Sequence, residues 1–96
     1  MHASCNVYTG EGADALYEQL FEEADTVREL LQGIPGFVSH TMVETESGGF
    51  SQVVVERLAA LADVGRIAGG YIKKLAAKIG KIDPPKSDVG PVGMHV

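Results

Sequence analysis

Residues 32–57 read QGIPGFVSHTMVETESGGFSQVVVER, and this stretch decides the fold. The pair Pro35-Gly36 ends the helix before it, because proline cannot donate into a helix ladder and glycine accepts the backbone angles of a sharp turn. Two runs rich in β-forming residues follow, and residues 46–49 (ESGG) between them are typical of a hairpin turn. The stretch therefore predicts a β-hairpin that is reached from a helix through a tight turn.

Amphipathic helices are predicted on both sides of this hairpin. Before it, apolar residues recur three and four positions apart from Ala13 to Ile34, which predicts one helix of about five turns. After it, residues 58–79 keep the same spacing, and Gly80 is suited to end the helix. Both helices have an apolar side that can cover the hairpin.

Three glycines interrupt the second predicted helix, at Gly65, Gly69 and Gly70. Each weakens a helix by up to about 1 kcal/mol relative to alanine. Either the helix is locally loose there, or the glycines permit close approach to a sheet or a ligand. Close packing is the interpretation that we favour.

Short strands are predicted near the two ends of the chain. Residues 4–9 read as a strand, and residues 86–96 have a weak period of two whose glycines and proline confine it to a sheet edge. The element order is therefore β-α-β-β-α-β. This order predicts an α+β fold, the ferredoxin-like plait, in which a four-stranded antiparallel sheet carries both helices on one face. We expect residues 1–96 to form a single domain.

Both faces of the predicted hairpin carry apolar side chains. By period two they divide into Phe37 and Val43 against Val38 and Met42 in its first strand, and Val53 and Val55 against Phe50 and Val54 in its second. A sheet that is covered by helices on one face should be polar on the other face in a monomer. We therefore expect a homodimer that pairs through the sheet face.

Composition excludes several classes of function. The net charge of −5 and the pI near 5.0 disfavour nucleic-acid binding, which depends on clusters of lysine and arginine. No apolar run approaches the ~20 residues that cross a bilayer, so we expect no membrane contact. No signal-peptide pattern is visible, and the single cysteine, Cys5, fits a reducing compartment. A cytoplasmic location is the expectation.

Metal and nucleotide motifs do not occur in the sequence. The histidines, His2, His40 and His95, are far apart and have none of the short spacings of zinc sites. No P-loop, dinucleotide-binding, nucleophile-elbow or EF-hand pattern is present. We expect no metal site.

Several segments together resemble a known family. Residues 34–40 (IPGFVSH) after a long amphipathic helix, then Gly48-Gly49 and residues 53–56 (VVVE), are similar to the antibiotic biosynthesis monooxygenase-like proteins of the dimeric α/β-barrel superfamily. The resemblance covers most of the chain and extends to Pro84-Pro85 and residues 94–96 (MHV). It implies a ferredoxin-like plait that pairs two sheets into a dimeric α/β barrel. It also implies a cofactor-independent monooxygenase, an oxidoreductase whose substrate is a small aromatic or polycyclic phenol. The alternative is a non-catalytic small-molecule-binding or structural homodimer of the same fold.

The family that the chain resembles also includes haem-degrading enzymes. These use an asparagine on the first strand, a tryptophan, and a histidine on the second helix. Asn6 occupies a position like that asparagine, but the chain has no tryptophan and no histidine in residues 58–79. We therefore expect no cofactor.

Phenol oxidation of the kind that the resemblance implies needs polar and aromatic groups that hold a phenolate near dioxygen. The catalytic candidates are Asn6, His40 and Tyr71, and the substrate-binding candidates are Tyr8, Phe37, Met42 and Phe50. A histidine with a near-neutral pKa can accept a phenolic proton. Other interpretations stay open. Asn6 can simply pair with neighbours on its sheet face, His40 can be a strand or interface histidine with one hydrogen bond, and Tyr71 can be a packed core tyrosine.

Overall fold

The computed structural model describes residues 1–96 and consists of one sheet and three helices. In chain order the elements are β1 (His2–Thr9), α1 (Ala13–Glu22), α2 (Ala24–Gln32), β2 (Phe37–Thr45), β3 (Gly48–Val55), α3 (Ala60–Ile79) and β4 (Lys86–Pro91). The strands lie in the order β2-β3-β1-β4, and every neighbouring pair is antiparallel. This is the sheet of a ferredoxin-like plait, so the predicted α+β fold is confirmed.

The first helical segment is divided in two, and the prediction of one continuous helix is wrong. Between α1 and α2, Glu23 has φ −101° and ψ 23°, which departs from helical geometry. Hydrogen bonds still flank the break, because the Glu23 N–H donates to the Gln19 carbonyl and the Glu23 carbonyl accepts from the Val27 N–H, both at 3.0 Å. No glycine or proline marks this position. The apolar periodicity therefore continues through the break, and the sequence does not reveal where the helix is interrupted.

β2 and β3 form the predicted hairpin, with Glu46 and Ser47 between them. Each of the two glycines that follow is required for a different reason. Gly48 has φ 144°, a backbone angle that favours glycine. A Cβ on Gly49 would overlap the ring of Tyr17. Since Tyr17 is fully buried, its ring lies directly on the backbone of β3 at this point.

The terminal strands differ in extent from the prediction. β1 begins at His2 instead of Ser4, and β4 ends at Pro91 instead of continuing to residue 96. β4 does lie at an edge of the sheet, as predicted. Beyond it, the Val92 N–H donates to the Met1 carbonyl at 2.9 Å, so the tail is held beside the start of β1.

The register of the strands decides which face of the sheet the helices cover. Val53 on β3 is buried under the helices, and its neighbours in register are His40 on β2 and Ser4 on β1. Alternation places Val7 and Phe50 on the opposite face, where they are 42% and 39% exposed. Apolar side chains therefore lie on both faces. The outer face is open to solvent at Val7 and Phe50 in the single chain, whereas Val54, on the same face by alternation, is only 4% exposed.

Two separate apolar clusters hold the helices on the inner face. One joins α2 and the first part of α3 to β3, through Leu31, Ile34, Val53, Val55, Ala60 and Val64. The other joins α1 to the last part of α3, through Leu16, Tyr17, Leu20 and Leu75. Side chains of both clusters also line a cavity that lies between them. The inner face is therefore packed at its two ends, and a cavity that is partly open to solvent lies between them.

The glycines of α3 do not make the close packing that we favoured from the sequence. A Cβ built on Gly65, Gly69 or Gly70 meets no atom within 4 Å. The prediction of close packing against the sheet is wrong, because no atom of the sheet lies within contact distance of a Cβ at these positions. None of the three helices has the length and apolar character needed to cross a membrane.

Candidate active site

The cavity between the sheet and the helices has a volume of about 360 Å³, within the range of about 300–1,000 Å³ that is usual for small-molecule sites. Twenty residues line it, and thirteen of them are hydrophobic. The apolar wall comes from all three helices, whereas most of the polar groups stand on the strands. An apolar space with few polar groups on one side suits a flat ligand that carries oxygen substituents on one edge.

Asn6 stands in the middle of the polar groups that the strands bring to the cavity, which we call the polar floor. It lies in register with Ser51 on β3 and with Ser87 on β4, and all three residues line the cavity. The Ser87 hydroxyl donates to the Oδ1 atom of Asn6. This contact fixes the orientation of the amide and leaves its nitrogen, with two donors, free of partners within the chain. Asn6 is therefore suited to donate to an oxygen atom of a ligand.

Ser51 is in turn linked to a buried tyrosine. Its Oγ lies 3.5 Å from the hydroxyl of Tyr17, and either group can be the donor. The Tyr17 ring meets the Tyr8 ring edge to face, with centroids 6.1 Å apart. Burial and the neighbouring Tyr17 hydroxyl raise the pKa of Tyr8. Tyr8 thus stays protonated at neutral pH and offers a hydroxyl donor in the cavity wall.

His40 enters the cavity from β2, where it is paired with Val53. Partial burial lowers the pKa of its imidazole, because the charged form is desolvated. The imidazole is therefore neutral at pH 7 and can accept a proton. It makes no hydrogen bond within the chain, so this acceptor is available to a ligand.

Tyr71 also lines the cavity, but its hydroxyl is already engaged. It donates to the Glu23 carboxylate, which also accepts a hydrogen bond from Gln19. Desolvation and the bond to Glu23 raise the pKa of Tyr71 to about 12. A phenol with this pKa stays protonated at neutral pH, so it cannot accept a proton from a substrate. Among the predicted catalytic residues, Asn6 and His40 therefore have free polar groups, and Tyr71 fixes the kink between α1 and α2 to α3.

Phenylalanine in place of Tyr71 is expected to lower thermal stability within a limited range of pH. Hydrogen bonds, first that from Tyr71, lower the pKa of Glu23 below its ordinary 4.5, so this stabilisation is complete above about pH 4.5 and is lost as the pH falls through the lowered pKa. The Tyr71 pKa is raised from 10.0, so its part is complete below about pH 10 and is lost as the pH rises toward 12.

Melting curves of wild type and Tyr71→Phe between pH 3 and pH 10 test this expectation. The difference in Tm should be largest above about pH 5 and should shrink in acid. Tyr8→Phe is the matched control, since the Tyr8 hydroxyl has no hydrogen-bond partner in the chain. An equal loss at every pH in Tyr71→Phe would mean that the hydroxyl acts only through packing.

The structure brings five of the seven predicted site residues to this cavity: Asn6, Tyr8, His40, Met42 and Tyr71. Phe50 is not among them, because alternation along β3 turns it to the outer face of the sheet. The single chain therefore places Phe50 outside this cavity.

Phe37 lies in a second cavity of about 420 Å³, between α2 and β2. An irregularity in the register between Phe37 and Ser39 separates it from the regular alternation of β2. His40 and Met42 line both cavities, so the two spaces meet at these side chains. Phe37 can thus contact a ligand that occupies this second cavity or extends into it from the first.

Several residues of the site were missed at the level of sequence. Ser4, Ser51 and Ser87 are common residue types, and only the register of four strands brings them to one floor. Glu23 interrupts no apolar spacing, so the sequence carries no signal of its contact with Tyr71. One signal for the missed residues was available. Alternation along the first strand places Ser4 on the same face as Asn6. No group of three or more His, Cys, Asp or Glu side chains is placed to hold a metal ion.

Solved structures with this architecture include known oxygenases. A monooxygenase from the ActVA-Orf6 gene of Streptomyces coelicolor, in complex with Nanaomycin D, is 20% identical, with a TM-score of 0.67 over 99% of this chain and 89% of that one. SnoaB, a cofactor-independent oxygenase from Streptomyces nogalater, is 17% identical, with a TM-score of 0.66 over 99% and 95%. A Bordetella bronchiseptica protein assigned provisionally to the antibiotic biosynthesis monooxygenases is 14% identical, with a TM-score of 0.61 over 97% and 96%.

The chain has the fold of the antibiotic biosynthesis monooxygenases. The resemblance inferred from residues 34–56 is thus confirmed at the level of structure. No protein-family model matches the sequence, and no curated protein matches it significantly. At 14–20% identity, the similarity establishes the fold and leaves the chemistry to the residues of the cavity.

Proposed function

We propose that the protein is a cytoplasmic, cofactor-independent monooxygenase whose substrate is a small aromatic or polycyclic phenol. The observation that carries the proposal is the convergence of Asn6 and His40, both with free polar groups, on an apolar cavity of about 360 Å³. The cavity suits a fused-ring ligand in size and in polarity. The fold shared with a cofactor-independent oxygenase adds support.

In the proposed reaction His40 accepts the proton of the phenolic hydroxyl. The neutral imidazole is the form that burial favours, and the amide nitrogen of Asn6 donates to the phenolate oxygen that results. The phenolate makes the ring carbon opposite it electron-rich enough to react with dioxygen. One oxygen atom becomes the second carbonyl of a quinone, and the other leaves as water. The substrate supplies all four electrons and loses two hydrogen atoms, so the step balances.

Oxygen uptake with a panel of hydroxylated polycyclic aromatics tests this function. The purified protein without additives is expected to consume one dioxygen per substrate and to form the corresponding quinone. Heat-unfolded protein is the control for spontaneous oxidation. If no member of the panel is oxidised but some bind, the protein is the alternative, a small-molecule-binding domain of this fold.

We further propose that the active form is a homodimer that pairs through the outer sheet face. Val7 and Val43 both lie in register with Phe50, so the three side chains form an apolar row across β1, β3 and β2. Val7 and Phe50 are 42% and 39% exposed in the single chain. Covering such a row with a second copy removes apolar surface from water.

Aspartate in place of Phe50 is expected to convert the dimer into monomers. Position 50 is exposed in the monomer, so the charge is tolerated there, whereas a charge buried without a partner in an interface costs several kcal/mol. Sedimentation at micromolar concentration should give twice the 10.1 kDa chain mass for wild type and a single chain mass for Phe50→Asp. Met94→Asp, at an 82% exposed position in the tail, should remain dimeric. A monomeric wild type would contradict the proposal.

A further inference from the structure

Two glycines of α3 form part of the cavity wall. Gly65 and Gly69 lie one helical turn apart and line the cavity together with Leu61, Val64 and Ile72. Gly65 is exposed and Gly69 is half-buried, so Gly65 lies at the rim of the cavity and Gly69 deeper inside it. Glycine inside a helix is unfavourable relative to alanine. Their presence at two successive turns of one wall therefore calls for a physical reason.

Packing within the chain does not supply that reason. A Cβ on Gly65 or Gly69 meets no atom within 4 Å, in contrast to Gly49, where it would overlap a buried ring. Neither residue has the positive φ that favours glycine, since the positive-φ glycines of the chain lie elsewhere. A larger residue would be accommodated at either position without moving the protein. Because both glycines line the cavity, a side chain there would take up space at the cavity wall.

The same cavity has an independent mark of ligand binding on its opposite side. The Asn6 amide nitrogen and the His40 imidazole face this space without hydrogen-bond partners in the chain. A ligand held by these groups on the sheet extends toward the helix wall. The absence of side chains at Gly65 and Gly69 then sets how far the rings of the ligand can extend toward the helix.

We propose that Gly65 and Gly69 determine the specificity of the site, by setting the largest fused-ring ligand that the cavity accepts. This inference rests on the proposed function, because it takes the ligand to be a phenol held at Asn6 and His40. With glycine at both positions the cavity accepts three fused rings. With a large side chain at position 69 it accepts two rings and excludes the third.

Binding of two probes to three variants tests the proposal. The probes are 1-naphthol, with two fused rings, and 1-hydroxyanthraquinone, with three, titrated by fluorescence under nitrogen so that oxidation does not interfere. The variants are Gly65→Leu and Gly69→Leu, with Gly70→Leu as the matched control. Gly70 is on the same helix and is equally free of neighbours, but it does not line the cavity.

We expect Gly69→Leu to bind the three-ring probe about tenfold more weakly or worse, since overpacking a filled cavity has a cost of this order. Gly65→Leu, at the rim, should have a smaller effect. Both should bind 1-naphthol with affinity within about threefold of wild type. Gly70→Leu should bind both probes as wild type does. All three variants should melt at or above the wild-type temperature, because leucine is a better helix former than glycine.

Three results would overturn the proposal. One is unchanged binding of the three-ring probe in Gly69→Leu. Another is an equal loss of both probes, which means general damage to the site. The third is the same selective loss in Gly70→Leu. Wild type that binds neither probe would instead contradict the proposed function itself, and the size-selection proposal with it.

Discussion

The Gly49→Ala variant is expected to lose about 3 kcal/mol of folding stability, the upper part of the usual range for overpacked cores. A Cβ at this position would overlap several atoms of the Tyr17 ring. Tyr17 is fully buried and belongs to the cluster with Leu16, Leu20 and Leu75, so the ring has no free volume into which it can move. Either β3 or α1 must therefore shift.

Thermal and urea unfolding measure this effect. For a domain of this size, about 3 kcal/mol corresponds to a fall in Tm of more than about 10 °C. Gly90→Ala is the matched control, since Gly90 also lies in a strand, but a Cβ there meets no atom within 4 Å. In a Tyr17→Leu background, Gly49→Ala should cost less, because the overlapping ring is gone. Equal stability of Gly49→Ala and Gly90→Ala would show that the Tyr17 ring is mobile.

The same contact explains why the turn of the hairpin could be predicted from the sequence, whereas the packing role of Gly49 could not. The glycine pair after Ser47 is a turn signal, and the sequence shows it as such. Gly49, however, lies within β3, and its physical task is to make room for a ring from α1. No local pattern reveals a requirement that comes from a residue 32 positions away. The turn could be predicted, and the packing that depends on it could not.

The element order and the sheet-edge position of β4 could be predicted, because they depend on local periodicity and on glycine and proline. The break at Glu23 could not, since no residue there disfavours a helix. Its geometry coincides with side-chain bonds to Gln19 on the same helical segment and to Tyr71 on α3. A tertiary contact of this kind overrides a continuous helical pattern without leaving a mark in it.

The candidate site was predictable where it depends on residue type and not where it depends on register. Asn6 and His40 carry uncommon chemistry for strand positions, and the structure places both at one cavity. Phe50 was misplaced because β3 is apolar on both faces, so composition did not distinguish the inner face from the outer one. Ser87 was missed because its role comes only from its alignment with Asn6 across β4 and β1.

Glutamine in place of His40 is expected to reduce the rate of phenol oxidation about a hundredfold or more. Glutamine keeps a polar group of similar reach but cannot accept the phenolic proton. Asn6→Ala is expected to cost a similar factor, because it removes a donor to the phenolate oxygen. Both variants should retain the wild-type Tm closely enough for rates to be compared. His95→Gln, the same exchange in the exposed tail, is the matched control.

The dependence of the rate on pH separates a base from a structural histidine. Burial lowers the pKa of His40 below its ordinary 6.5, so its imidazole remains neutral at pH 6.5 and gains a proton only in more acidic solution. The wild-type rate should therefore hold down to about pH 6.5 and fall below it, as the pH passes through the lowered pKa. His40→Gln should lose this acidic fall, whereas Asn6→Ala should keep it at a lower overall rate. If oxygen uptake is unchanged in both variants, the proton is removed by another group, and His40 is a strand histidine whose proximity to the cavity has no catalytic consequence.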